Sequence, residues 1–146
     1  MYKRQAQVQA ELRDRAVVAT GMSFTVADAQ ADDLPLVWVN PAFTATTGYT
    51  FDEAVGSNCR FLQGPATDPS ARAAMHRAVE GREAVTVTVL NYRKDGTAFW
   101  NQVSITPVHG PDGEVTHFVG IQSDVTARVS ADAERCLLYT SPSPRD

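Results

Sequence analysis

Valine and threonine alternate through Val85-Thr86-Val87-Thr88-Val89, and the same period of two returns in Phe99, Asn101, Val103 and Ile105. Alternation of this kind puts successive side chains on opposite faces of a strand. It predicts three long strands, 84–93, 98–108 and 114–124. Lys94-Asp95-Gly96-Thr97 and Pro111-Asp112-Gly113 supply the turns between them, so the three strands form an antiparallel meander. Ser23 to Asp28 and Leu34 to Val39 read as two shorter strands upstream. The segment between the two groups carries helix-start signals instead. Asn40-Pro41 is a capping residue followed by proline at the first helical position. Thr50-Phe51-Asp52-Glu53 is a capping box. Asp68-Pro69 opens a longer helix that Gly81 ends. Strands, a helical cluster and then a meander predict an α+β domain of the single-sheet kind, a five-stranded antiparallel sheet with helices on one face.

The ends read differently. Residues 2–19 contain neither glycine nor proline, and Val8, Leu12, Ala16 and Ala19 recur at helical spacing. A helix with so thin an apolar stripe either packs on its own domain or makes a dimer contact. The chain therefore divides into an N-terminal amphipathic helix over 1–20, a core over 21–126, the start of a C-terminal helix over 127–136 and a tail over 137–146. The Ser/Pro content of the tail argues against continued helix.

Composition narrows the class. A chain of 146 residues with 43% hydrophobic and 21% charged residues has enough apolar sequence for one core. The net charge of −4 comes without a basic cluster, which disfavours nucleic acid and anionic membranes as partners. No apolar run approaches a membrane span, and the first residues lack a signal-peptide core. A cytoplasmic, reducing location is expected. Cys59 and Cys136 give no disulfide framework. His76, His109 and His117 have no metal-ligand spacing with them. No glycine-rich phosphate loop occurs, so no nucleotide-dependent enzyme activity is expected.

Candidate chemistry lies in two places. The meander puts one carboxamide per strand, Asn91, Asn101 and Gln122, on a face that otherwise looks apolar. Gln122 is the least clear, because Val119 and Ile121 make the opposite face of its strand apolar too. A buried amide without a partner costs about 1–3 kcal/mol. Three such amides either share a polar partner inside the fold or sit at strand ends and face water. The second place is Asn58-Cys59-Arg60-Phe61-Leu62-Gln63. If that run is α-helical, Cys59 and Gln63 share a face. The thiol is either a recognition or reactive group or an inert buried cysteine.

The segment Gly56-Ser57-Asn58-Cys59-Arg60-Phe61-Leu62-Gln63, followed by the three amides, resembles the signature of LOV domains, the blue-light-sensing flavin branch of the PAS family. The resemblance runs from about Phe24 to Thr126 and is to LOV proteins of the short bacterial type. It implies that FMN is held non-covalently in the dark, and that light drives a reversible bond between Cys59 and flavin carbon C4a. It further implies that Asn91 and Asn101 bind the pyrimidine edge, that Gln122 faces N5 and O4, and that Gln63 flanks the ring with Asn58 in support. Leu62, Phe118 and Thr25 match positions lining the ring, and Arg60 would pair with the phosphate. Rotation of Gln122 would then signal to the flanking helices.

One position departs from the pattern. Many LOV domains carry a second phosphate-binding arginine where this chain has His76. Weaker or pH-dependent cofactor retention is expected there, with Arg72 or Arg77 as substitute cations. A homodimer is expected, through the N-terminal helix or the sheet. The chain reads as a stand-alone LOV protein or a fragment of a receptor. The competing readings are a PAS domain that binds another ligand or partner without photochemistry, and a thiol enzyme, for which no base is identifiable.

Overall fold

The computed structural model describes residues 22–140, with side chains through 133. The expected N-terminal helix over 1–20 and the last six residues of the tail lie outside the described residues. Five strands form one sheet: β1 (Ser23–Asp28), β2 (Leu36–Val39), β3 (Val85–Tyr92), β4 (Ala98–His109) and β5 (Val115–Asp124). Their order across the sheet is β2-β1-β5-β4-β3, and every neighbouring pair is antiparallel. The meander is as the alternation predicts. Pairing of the last strand with the first joins it to the N-terminal hairpin.

Register aligns the inward residues into rows. One row crosses the sheet as Val87, Val103, Gln122 and Ser23, and the next as Val85, Ile105, Gly120 and Thr25. Because Asn101 faces Val89 and Gln122 faces Val103, the three amides Asn91, Asn101 and Gln122 fall on a diagonal. The parity of β5 is thereby decided. Gln122 is buried, while Ile121 on the other face is 37% exposed.

Between β2 and β3 run α1 (Pro41–Thr47), α2 (Phe51–Ala54), a 3-10 turn (Cys59–Leu62) and α3 (Pro69–Glu80). Asn40 caps α1 and ties it to β1. Its Oδ1 accepts from the backbone N–H of Phe43 at 3.0 Å and of Phe24 at 2.9 Å, and its Nδ2 donates to the Met22 carbonyl at 3.0 Å. Thr50 and Glu53 form the reciprocal capping box at α2. Gly48 ends α1 at φ +81°, a conformation that glycine adopts without penalty. Leu36, Val39, Phe43, Ala54 and Leu62 pack into one core beneath these helices. Burying a phenylalanine such as Phe43 stabilises by about 1.5–3 kcal/mol.

Three local expectations are corrected. Leu34 does not belong to β2, because Asp33 and Leu34 adopt φ of +64° and +48°, which breaks an extended run. The Cys59 segment is a 3-10 turn rather than α-helix, and Gln63 follows it with extended backbone, ψ 155°. Cys59 and Gln63 are therefore not one α-helical turn apart. The C-terminal helix, α4 (Thr126–Thr140), runs beyond residue 136 into the expected tail. Leu137-Leu138-Tyr139 contains no helix breaker, and the first proline comes only at Pro142. No helix among the described residues is long and apolar enough to cross a membrane.

Candidate functional site

Helices and sheet enclose a cavity of about 380 Å³, within the range of about 300–1,000 Å³ typical of small-molecule sites. The inward rows of the sheet form its floor: Thr25, Val89, Asn91, Val103, Ile105, Phe118, Gly120 and Gln122 all line it. Gly120 is required by close approach, since a Cβ there would come within 2.5 Å of Thr25 Oγ1. The turn contributes Asn58, Cys59, Arg60 and Gln63, and α3 contributes Arg72, Met75, His76 and Val79.

The turn owes its shape to Asn58. Its Oδ1 accepts from the backbone N–H of Arg60 at 2.9 Å, and its Nδ2 donates to the Asp33 carbonyl at 2.7 Å. This fixes Cys59 at the cavity wall, half-buried, with its free thiol against the floor. Gln122 Nε2 donates to Cys59 Sγ at 3.6 Å. Burial pushes the thiol pKa up to about 11, although the Gln122 hydrogen bond pulls it down. Cys59 is therefore a protonated thiol at neutral pH.

The amide diagonal is connected and incomplete. Asn101 Nδ2 donates to Asn91 Oδ1 at 2.9 Å and to Gln122 Oε1 at 3.2 Å. Gln122 thus sits between Asn101 and Cys59. Asn101 Oδ1 is buried and has no hydrogen-bond partner, an arrangement that costs about 1–3 kcal/mol unless a donor reaches it.

Three basic side chains, Arg60, Arg72 and His76, line the cavity. Arg60 pairs with Asp33, both side chains being about 60% exposed. The Arg60 guanidinium holds the Asp33 carboxyl below the usual carboxylate range. His76 Nε2 lies 3.0 Å from Glu80 Oε1 on the next turn of α3. Arg72 lines the cavity and Arg77 does not.

Nine of the residues anticipated from sequence, Thr25, Asn58, Cys59, Arg60, Gln63, His76, Asn91, Phe118 and Gln122, line one space. Asn101 joins them through its hydrogen bonds. Leu62 does not line the cavity. It is 1% exposed and packs with Leu36, Val39, Phe43 and Ala54, because the tight turn directs it into the helical core. The lining residues Met75 and Val79 went unrecognised. With Arg72 and His76 they recur at i, i+3, i+4 and i+7, a spacing that could have marked the cavity-facing side of α3.

Residues 22–127 match the PAS domain family. Among solved structures, the LOV domain of an Erythrobacter litoralis blue-light activated histidine kinase is 46% identical, with a TM-score of 0.69, and the match covers 72% of this chain and 96% of that one. The chain is a LOV domain of the PAS family. A structure described as an RNA-binding light-oxygen-voltage receptor resembles this LOV domain at TM-score 0.82 and 42% identity, over 92% of this chain and 38% of that one. A blue-light-activated histidine kinase of Rhizobium johnstonii is 47% identical over 116 residues, 80% of this chain and 34% of that protein. One from Brucella anthropi is 45% identical over 111 residues, 76% of this chain and 23% of that protein. The LOV domain thus spans about a third or less of the length of these relatives.

Proposed function

We propose that this LOV domain is a blue-light photoreceptor module that holds a flavin, FMN in particular, in the cavity and reacts with it reversibly through Cys59. The observation that carries this reading is the amide diagonal: a buried, unpartnered Asn101 Oδ1 at its centre and a Gln122-to-Cys59 hydrogen bond at one end. The pyrimidine edge of an isoalloxazine carries an N–H donor flanked by carbonyl acceptors, which suits Asn101 Oδ1 and the amide donors around it. When bound, a flavin would be held by Asn91, Asn101 and Gln122 and would supply blue-light absorption and an electrophilic ring carbon within reach of the Cys59 thiol.

The protein's part follows from its own groups. Cys59 keeps its proton until it is needed, because burial disfavours the thiolate. Gln122 is poised to exchange partners, since one amide both accepts from Asn101 and donates to Cys59. Two residues along β5, Asp124 Oδ1 accepts from the backbone N–H of Thr126 at 3.0 Å and from its hydroxyl at 2.6 Å, at the start of α4. Rotation of Gln122 therefore takes place only two residues along β5 from the Asp124 contacts that start the C-terminal helix. Arg60 and Arg72 offer cations for a terminal phosphate, which favours FMN over riboflavin.

The module senses rather than catalyses, in the cytoplasm and as a homodimer. The relatives' kinase activity would lie outside the matched third of their length. The net charge of −4, without a basic cluster, disfavours a nucleic-acid partner. The deciding experiment is the visible spectrum of the purified protein before and after blue light. Bleaching of the flavin band, recovery in the dark, and loss of that cycle with retained flavin in Cys59→Ala are expected. A bound flavin that does not bleach while Cys59 is intact would refute the photochemistry. No binding of added FMN would return the domain to another PAS ligand.

A further inference from the structure

Asp33 occupies the cation that the proposed function assigns to the phosphate. It lies in the loop between β1 and β2, beside the cysteine turn, where it shares a surface recess with Asn58 and Arg60. Its carboxylate pairs with the Arg60 guanidinium. Its backbone carbonyl accepts from Asn58 Nδ2 at 2.7 Å, so the side chain that shapes the cysteine turn also fastens this loop. Leu34, the next residue, lines the cavity, and both residues hold left-handed backbone, φ +64° and +48°. The conformation is costly for a leucine, and the loop is held in it by contacts to the turn. His76 is engaged by Glu80. Of the basic residues lining the cavity, Arg72 has no carboxylate partner among the described residues.

We propose that Asp33 is an internal competitor for the cofactor's phosphate, holding Arg60 in the flavin-free protein and yielding it on loading, so that it sets the preference for phosphorylated over unphosphorylated flavin. The inference rests on the flavin reading above and adds a residue that determines specificity. The exchange is energetically accessible. An exposed ion pair such as this one is held weakly, and a phosphate carrying about −1.5 to −2 charges competes well against a single carboxylate. A carboxylate remaining beside the phosphate repels it, whereas a neutral ribityl end feels no such penalty. The bond from Asn58 goes to the Asp33 backbone and is independent of the carboxylate, so the loop stays anchored when the side chain lets go.

The test measures dissociation constants of FMN and riboflavin, by flavin fluorescence and calorimetry, for wild type, Asp33→Asn and Asp33→Gly at low and high salt. Asparagine and glycine both tolerate the left-handed backbone of this position, so the two variants remove charge without breaking the loop. FMN is expected to bind about two- to five-fold more tightly to both variants, with riboflavin unchanged. The gain should vanish near 1 M salt, where screening acts over about 3 Å, and in an Arg60→Gln background. Unchanged or weakened FMN binding would overturn the proposal, as would equal shifts for both flavins, which would mark the loop as structural only. A wild type that binds neither flavin would remove the flavin reading itself and this inference with it, an outcome distinct from a wild type that binds both and is insensitive to residue 33.

Discussion

Replacing Asn101 by leucine tests whether the amide diagonal is built around an absent donor. Leucine is close to asparagine in shape, so the substitution removes hydrogen bonds with little cavity formation. In the flavin-free domain two buried acceptors, Asn91 Oδ1 and Gln122 Oε1, lose the donor that now lies at 2.9 and 3.2 Å. Each orphaned group costs about 1–3 kcal/mol. The variant also removes Asn101 Oδ1, which has no partner to begin with, and regains a similar amount. The net loss of flavin-free stability is therefore about 1–3 kcal/mol. In the loaded domain Asn101 Oδ1 is satisfied, so nothing is regained and the loss grows by about another 1–3 kcal/mol. The difference appears as weaker binding, about 5- to 150-fold in Kd. Urea unfolding of wild type and Asn101→Leu, with and without saturating FMN, reads both quantities, and a direct titration checks the second. If the substitution costs no more in the loaded domain than in the free one, Asn101 Oδ1 does not meet the flavin, and the central argument for the site fails.

Two further predictions rest on single contacts. The Cys59 thiol is raised to about 11 in the folded state from an ordinary value of 9.0. The folded state thus holds this proton more tightly, and the associated stability is present below pH 9.0 and lost as pH rises through about 11. Denaturant midpoints of the flavin-free domain across that window should fall more in wild type than in Cys59→Ala, and parallel curves would refute the assignment. Gly120→Ala brings a Cβ to 2.5 Å from Thr25 Oγ1, and overpacking of this kind costs about 1–3 kcal/mol. Pairing it with Thr25→Ala should recover most of that loss in thermal unfolding, and additive losses would place the clash elsewhere.

Sequence alone determined the parts of this protein that depend on neighbours along the chain. The two-residue period of β3 and β4 put Asn91 and Asn101 on the apolar face because a strand's geometry leaves no other choice. The caps at Asn40, Thr50 and Asp68 set helix starts because each satisfies backbone donors within a few residues. The run around Cys59, read with the amides, led to the LOV family through resemblance rather than through any rule of spacing. Tertiary structure decided the rest. Whether Gln122 faced inward was ambiguous while both faces of β5 were apolar, and its pairing with β1 and β4 resolved it. Leu62 went to the core because a 3-10 turn aims side chains differently from an α-helix. The choice between Arg72 and Arg77 as the cavity cation depended on how α3 packs on the sheet. The pairing of Arg60 with Asp33 joins residues 27 positions apart. Local propensity carries no information about which distant charge a guanidinium will meet, and only the closure of the β1–β2 loop over the cysteine turn brings those two together.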